Sequence, residues 1–548
     1  MQPAHSPSGL PGDVFIGIDF GTTGTAVAFA CGGPVAPQSI MWPQVSAVKM
    51  PTAIRVEQDG STSLGMKAPL GPGVAKWFKL SLLHRDSLPV DVRNSPKLRE
   101  AEEIREQLGM TAVQATSKFL THVWSDSLKF LPSPAWRFDS INVSMTLPAT
   151  WPNDARLRFE DAISRSSMAS SSTPLNLTFL SEAEAAVLAM DEDVKKRLQV
   201  QDIVTVCDCG GGTVDVTTYE ILSISPLTLR EYLPGEIVLC GGEFVDDGFA
   251  ELFKSKLVKV FENPTLETMD KAVFQRCMEN WWERSIKSTF GHTWYDQQFV
   301  VPRALFTSPD KARAGVRISF GRKEIEGVYE PFIKKIRSII QSQIDLTQNK
   351  GDRCKFVYLT GGFSLSDYLR QQLQATLKPQ VLWSGMNLAF SGVSIGGAIN
   401  AQRTKGHPML GYVRLDSRVC RSSYRIRGQG GRHHPYSQII TMGEDMPAHG
   451  GKRVALRDHL GLDGRQPSEK LTSLDIFRVD RSQGSSIGVV ECQISWKSAP
   501  DLSLLSSSPS VGRVFVELEA TYTGYSMEFA VYHNGALQDQ DCVVIRYV

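Results

Sequence analysis

Two stretches of this chain repeat one order of residues. Ile16-Gly17-Ile18-Asp19 leads into Phe20-Gly21-Thr22-Thr23-Gly24, and Val204-Thr205-Val206-Cys207-Asp208 leads into Cys209-Gly210-Gly211-Gly212-Thr213-Val214-Asp215-Val216. In each, an apolar run reaches an aspartate, glycine and a hydroxyl residue follow, and a second apolar run begins. The order predicts strand, tight turn, strand. Glycine permits the positive φ of such a turn and lets backbone N–H groups approach an anion. Threonine hydroxyls add donors suited to phosphate oxygens. The aspartate before each turn is placed to hold Mg²⁺, directly or through water. Two such hairpins can grip a nucleoside triphosphate from two sides.

At 548 residues the chain is too long for one core and calls for several domains. Lys+Arg 59 against Asp+Glu 58 gives no electrostatic signal for nucleic acid or an acidic membrane. No stretch approaches the ~20 consecutive apolar residues of a membrane span. Residues 1–12, rich in Pro, Gly and Ser, read as a disordered tail, not a signal peptide. The 9 cysteines are scattered without a CxxC pair, which points to a reducing compartment, the cytosol and with it the nucleus. Cys207 and Cys209 flank Asp208 on one strand face and read as core, not as zinc ligands.

Along the chain, strands and helices alternate, the mark of an α/β protein. Apolar spacing predicts helix over Lys97–Phe130 with a break at Gly109, then strand Ile141–Leu147, helix Asp154–Met168 and strand Leu177–Leu180. Glu182–Met190, Phe244–Val260, Lys271–Phe290, Ile325–Gln348 and Asp367–Leu377 also read as helices, and Phe356–Leu359 as a buried strand. Beyond about residue 405 the pattern changes to short alternating runs separated by Gly, Pro, Ser and Asn, the pattern of a β-sandwich. Residues 13–405 and 406–548 are therefore read as two domains.

With these residues collected, the chain resembles the actin-like ATPase superfamily, and within it a divergent branch of the seventy-kilodalton heat-shock chaperones. The resemblance rests on seven segments in that family's order: Asp19–Thr23, Thr146–Asn153, Ser181–Ala186, Asp208–Asp215, Gly241-Gly242-Glu243, Leu359–Gly362 and Gly392–Ala398. It implies a two-lobed fold of duplicated ribonuclease-H-like halves, spanning about residues 13–403, with a β-sandwich-like C-terminal part resembling the peptide-binding domain. It also implies an ATPase whose cofactors are ATP or ADP with Mg²⁺. Unfolded or peptide clients and co-chaperones are the partners implied.

The same resemblance assigns roles. Asp19, Asp208 and Asp215 organise the metal and its waters. Gly21, Thr22 and Thr23, with Gly210, Gly211, Gly212 and Thr213, cradle the phosphates. Glu182 positions the attacking water, and a lysine, Lys79 in preference to Lys76, neutralises the transferring phosphoryl. Gly241, Gly242 and Glu243 flank the site. Glu283 and Lys287 contact ribose, and Gly361, Gly362 and Phe363 form the adenosine loop. The chain departs from the family at the base, where Ser288 and Leu365 replace the adenine-clamping arginines. ATP and GTP affinities are accordingly expected to be close. The sequence also ends at Val548 soon after the β-rich part, without the family's helical lid. Arg414–Arg427 is basic, which fits a solvated loop better than a partner surface. The rival readings are a nucleotide-sensing scaffold with little turnover, a sugar-kinase-like phosphotransferase and, less favoured, an actin-like filament subunit.

Overall fold

The structure is a computed structural model that describes residues 12–32, 35–42, 47–57, 59, 61–68, 73–85, 88, 90–131, 138–148, 151, 153–169, 175–224, 227–261, 269–287, 289–291, 296–306, 316–405, 413–420, 423–429, 437–441, 443–447, 452–455, 473–479, 489–496, 516–522, 527–533, 536–537 and 542–546. Most of the tail read at 1–12 lies outside these residues, as does Ser288.

The chain divides into two compact units, Met1–Leu227 with Gly235–Val413, and Thr228–Pro234 with Arg414–Val548. The division thus falls later than the expected boundary at 405 and also takes in a segment from the middle of the chain. Side chains explain the second part. Glu231 accepts a hydrogen bond from Val419 N at 2.8 Å, and Arg230 lies 3.6 Å from the carboxylate of Asp445.

The first unit is α/β and contains two sheets of like design. Val14–Phe20 pairs antiparallel with Gly24–Cys31 on one side and parallel with Ile141–Leu147 on the other, and Leu175–Ser181 adds a further parallel strand. Ile203–Cys209 likewise pairs antiparallel with Val214–Ile224 and parallel with Cys354–Thr360, followed by parallel Gln380–Trp383. Every residue of Val14–Phe20, Ile141–Leu147 and Ile203–Cys209 is buried, as expected of strands covered on both faces. Each sheet has its own core. One gathers Phe20, Phe78, Phe119 and Phe159; the other gathers Phe249, Trp282, Phe320 and Tyr329 around Cys207 and Cys209. The two cysteines are therefore core residues, with their sulfurs 3.6 Å apart.

The helix Met386–Thr404 ties the cores together. It crosses the first strand where neither side has a side chain in the way. A Cβ on Gly17 would stand 1.9 Å from Ser394 O, and one on Gly396 would stand 1.9 Å from Ala185 O. Backbone lies directly on backbone at both points.

The break expected at Gly109 is present. Helix Pro96–Gln107 ends there, Gly109 takes φ +60°, and Thr111 and Gln114 cap Ala112–Ser127 reciprocally. The expected long helix at Lys271–Phe290 is instead an α-helix, Lys271–Cys277, that continues as π-helix over Met278–Ile286. Apolar spacing alone does not reveal that widening, which is often found at functional sites. The second unit contains two antiparallel sheets, one of five strands and one of four. Among the described residues no helix is long and apolar enough to cross a membrane.

Candidate functional site

The two expected hairpins form, with Asp19 opposite Ala26 and Asp208 opposite Asp215. The turn glycines are used differently from the expectation. Positive φ falls at other glycines, not at Gly21, Gly24 or Gly210–Gly212. What these positions require is close approach. A Cβ on Gly211 would meet Thr23 Oγ1 at 2.1 Å, and one on Gly241 would meet Gly211 O at 2.3 Å. The two turns therefore face each other directly, with Thr22 against Gly212 and Thr23 against Gly211. Thr52 fixes the first turn by donating its hydroxyl to Gly21 O at 2.8 Å and its N–H to Thr23 O at 3.1 Å. Gly241, Gly242 and Glu243 fix the second by donating their N–H groups to Gly212, Gly210 and Gly211.

Around the turns lies a buried charge cluster. Asp19, Glu182, Asp208 and Asp215 are all buried, and so is Lys79, at 2% exposure. Glu182 opens the helix Glu182–Leu188, which Ser181 caps by accepting the N–H of Glu184. Its carboxylate accepts from Lys79 Nζ at 2.7 Å. The rings of Phe20 and Trp151 flank that ammonium, with centroids 5.8 and 5.5 Å away. Of the two candidate lysines it is Lys79, not Lys76, that enters the cluster. The sequence reading missed Lys49, whose Nζ lies 2.9 Å from Asp19 Oδ2. Burial would lower its pKa, but the carboxylates of Asp19, Asp208 and Glu182 hold it above the ordinary value.

Asp208 is pushed up from 3.8 to about 7, first by burial and then by the neighbouring charge of Glu182. Burial, Glu182 and Asp208 together raise Asp215 well above the usual carboxylate range. Gly361, at φ +82°, lies on Asp208: a Cβ there would stand 2.2 Å from Asp208 Oδ1, so the position admits only glycine. The raised value has a stability consequence. Between pH 4 and 7 the folded state holds a proton that the unfolded state has released. Stability contributed by that proton is lost as pH rises to about 7, and the cost is complete above it. We expect Asp208→Asn to stabilise the ligand-free protein at pH 8 by on the order of 2–4 kcal/mol, and far less at pH 5. Urea titrations at the two pH values measure it.

Other residues assigned by resemblance lie in different surroundings. Glu243 accepts from Trp77 Nε1 at 2.7 Å and pairs with Lys97 at 3.4 Å. Against the upward push of burial, Lys97, Lys76 and the Trp77 N–H hold its carboxyl below the usual range. Lys97 also pairs with Asp247 at 2.9 Å, and Trp77 packs edge-on against Phe244. This clasp joins the segment after the first hairpin to the helix Gly242–Phe261. Trp77 sits in it at φ +60°, an uncommon conformation for so large a residue. Trp77→Phe keeps an aromatic ring, though a smaller one, and removes the donor. It should lower stability by about 1 kcal/mol, as urea titration would measure.

Lys287 donates to Asp246 at 2.6 Å and to Glu283 at 3.3 Å, and Trp282 donates to the same Asp246 oxygen. Phe363 is buried and stacks on Tyr329, a core position.

Among the described residues no group of three or more His, Cys, Asp or Glu side chains is spaced to enclose a metal ion. Mg²⁺ needs no such cage, since it keeps most of its waters and takes one or two carboxylates beside substrate phosphates. The donor chemistry here fits that ion. The cluster holds four carboxylates, Asp19, Glu182, Asp208 and Asp215, and two lysines, Lys49 and Lys79, each lysine already paired. Two buried carboxyls, Asp208 and Asp215, are left without a paired lysine.

No protein-family model matches the chain, and no curated protein matches it.

Proposed function

We propose that the chain is an ATPase of actin-like fold, akin to the seventy-kilodalton heat-shock chaperones, in which the nucleotide acts as a conformational switch. The observation that carries this reading is the convergence of two like hairpins on one buried cluster, with Thr22 and Thr23 facing Gly211 and Gly212 across it. Two sheets of the same strand order support it, since such duplication is what the family's two lobes have. The turn N–H groups and threonine hydroxyls would bind phosphate oxygens. Buried carboxylates of the cluster, Asp208 and Asp215 among them, are available to Mg²⁺, which would supply charge neutralisation to the phosphoryl oxygens when bound with nucleotide. Lys79 would sit at the transferring phosphoryl, and Glu182, bonded to it, would orient water. Protein or peptide partners, and the cytosolic or nuclear setting, belong to the same proposal.

The test is calorimetry of the full chain with ATP and Mg²⁺, followed by phosphate release. Binding that collapses with EDTA, together with steady release, supports the reading; no ATP binding overturns it. Binding without release favours a nucleotide sensor. The 2.7 Å pairing of Lys79 with Glu182 gives that second reading its footing, because each group is then already neutralised.

A further inference from the structure

The two hairpins share a register but not a chemistry. In the first, Asp19 stands opposite Ala26, and Ala26 stands opposite Lys49 on the adjacent strand Lys49–Pro51. Residues in one row of an antiparallel sheet share a face. The small alanine between them leaves room for Lys49 to reach across a whole strand, and its Nζ arrives 2.9 Å from Asp19 Oδ2. In the second hairpin the matching row is Asp208 opposite Asp215. Directly opposed side chains have Cβ atoms about 4.5–5.5 Å apart, and like charges there repel. Asp208 and Asp215 are 9% and 7% exposed, and among the described residues neither has an ion-pair partner. In one hairpin the carboxylate is ion-paired to a lysine; in the other Asp215 accepts from the Thr213 hydroxyl, and neither carboxyl is ion-paired among the described residues.

We propose that Lys49 is the resident counter-ion of the first hairpin, and that the divalent cation is carried by the Asp208–Asp215 row with Asp19 outside its ligand set. The proposal rests on the nucleotide reading above. Lys49 is a positioning residue in this scheme. It holds Asp19 as a closed pair beside the first turn and keeps a second carboxylate site from forming there.

The experiment titrates the full chain with Mn²⁺ as the paramagnetic substitute for Mg²⁺, in the presence of the β,γ-imido analogue of ATP. Free Mn²⁺ is read by electron paramagnetic resonance, so turnover plays no part. Asp208→Asn and Asp215→Asn should each weaken Mn²⁺ binding about tenfold or more. Asp19→Asn should change it by less than roughly threefold, as should the charge-neutral double variant Asp19→Asn/Lys49→Gln. Lys49→Gln alone frees Asp19 and should tighten Mn²⁺ binding. Equal losses in Asp19→Asn and Asp208→Asn overturn the assignment while leaving the nucleotide reading intact. Absence of Mn²⁺ binding in the wild-type chain with the analogue overturns both. Urea midpoints of each variant separate lost ligation from lost fold, and the double variant still tests Asp19 should the single one fail to fold.

Discussion

Lys79→Ala should reduce phosphate release by ~100-fold or more and lower stability by about 3–5 kcal/mol. Both effects come from one ion pair. Lys79 is 2% exposed, and among the described residues its one carboxylate at bonding distance is Glu182, 2.7 Å away. Removing the ammonium leaves Glu182 buried beside Asp208 and Asp215 without its hydrogen-bonded cation. Glu182→Gln is gentler, because glutamine keeps a polar oxygen for the lysine. It should cut turnover at least ~10-fold, about 1.4 kcal/mol of barrier, yet leave ATP affinity nearly unchanged. The double variant Lys79→Met/Glu182→Gln separates the two contributions. Stability should recover, since no unpaired charge remains at the pair, while turnover should stay lost. If turnover returned with stability, the pair would be structural only. Urea titration and single-turnover phosphate release measure the two quantities.

Gly17→Ala should destabilise the first unit by about 3 kcal/mol. The added methyl would stand 1.9 Å from Ser394 O and 2.3 Å from Ala398 N, both backbone atoms of the helix Met386–Thr404. A flexible neighbour can turn aside, but a helix backbone held on two strands and on the helix Glu182–Leu188 must shift as a body. Gly327 supplies the control. It lies within the helix Arg322–Asn349, and a Cβ there meets nothing within 4 Å. Gly327→Ala should therefore stabilise by up to about 1 kcal/mol, through helix propensity alone. Thermal midpoints moving in opposite directions would confirm that contact, not glycine content, sets the sign. A neutral Gly17→Ala would mean that the crossing can open without loss.

The parts of this structure legible in the sequence are those decided locally. Each hairpin announces itself by an apolar run, an aspartate and a glycine turn within a few residues. The helix break at Gly109 needs only its own φ and the Thr111–Gln114 cap. The clustering of Asp19, Glu182 and Asp208 follows from the family order of their segments, whereas nothing in the sequence separates Lys79 sharply from Lys76; its burial beside Glu182 does. Lys49 was not legible. Its strand has three residues, too few for a periodicity, and its role depends on the row it shares with Ala26. Glu243 was assigned beside the nucleotide from a motif match, but its carboxylate is held by Trp77 and Lys97, partners far from it in the chain. Phe363 could be read as a base contact or as core, and only its stacking on Tyr329 places it among the core rings. The π-helix at Met278–Ile286 shares its apolar spacing closely enough with an α-helix that sequence does not separate them.

The clasp at Trp77 has an optical consequence. Its indole is 1% exposed, flanked by Phe244 and hydrogen-bonded to a carboxylate of the helix Gly242–Phe261. Any movement that parts this segment from the helix Gly242–Phe261 must wet that ring and break that bond, so its emission should shift to the red and weaken. The chain holds 10 tryptophans, and subtracting the Trp77→Phe spectrum isolates this one. The unlabelled protein thus carries its own gauge of whether this contact is closed, and the time course of its opening can be recorded without attaching a dye.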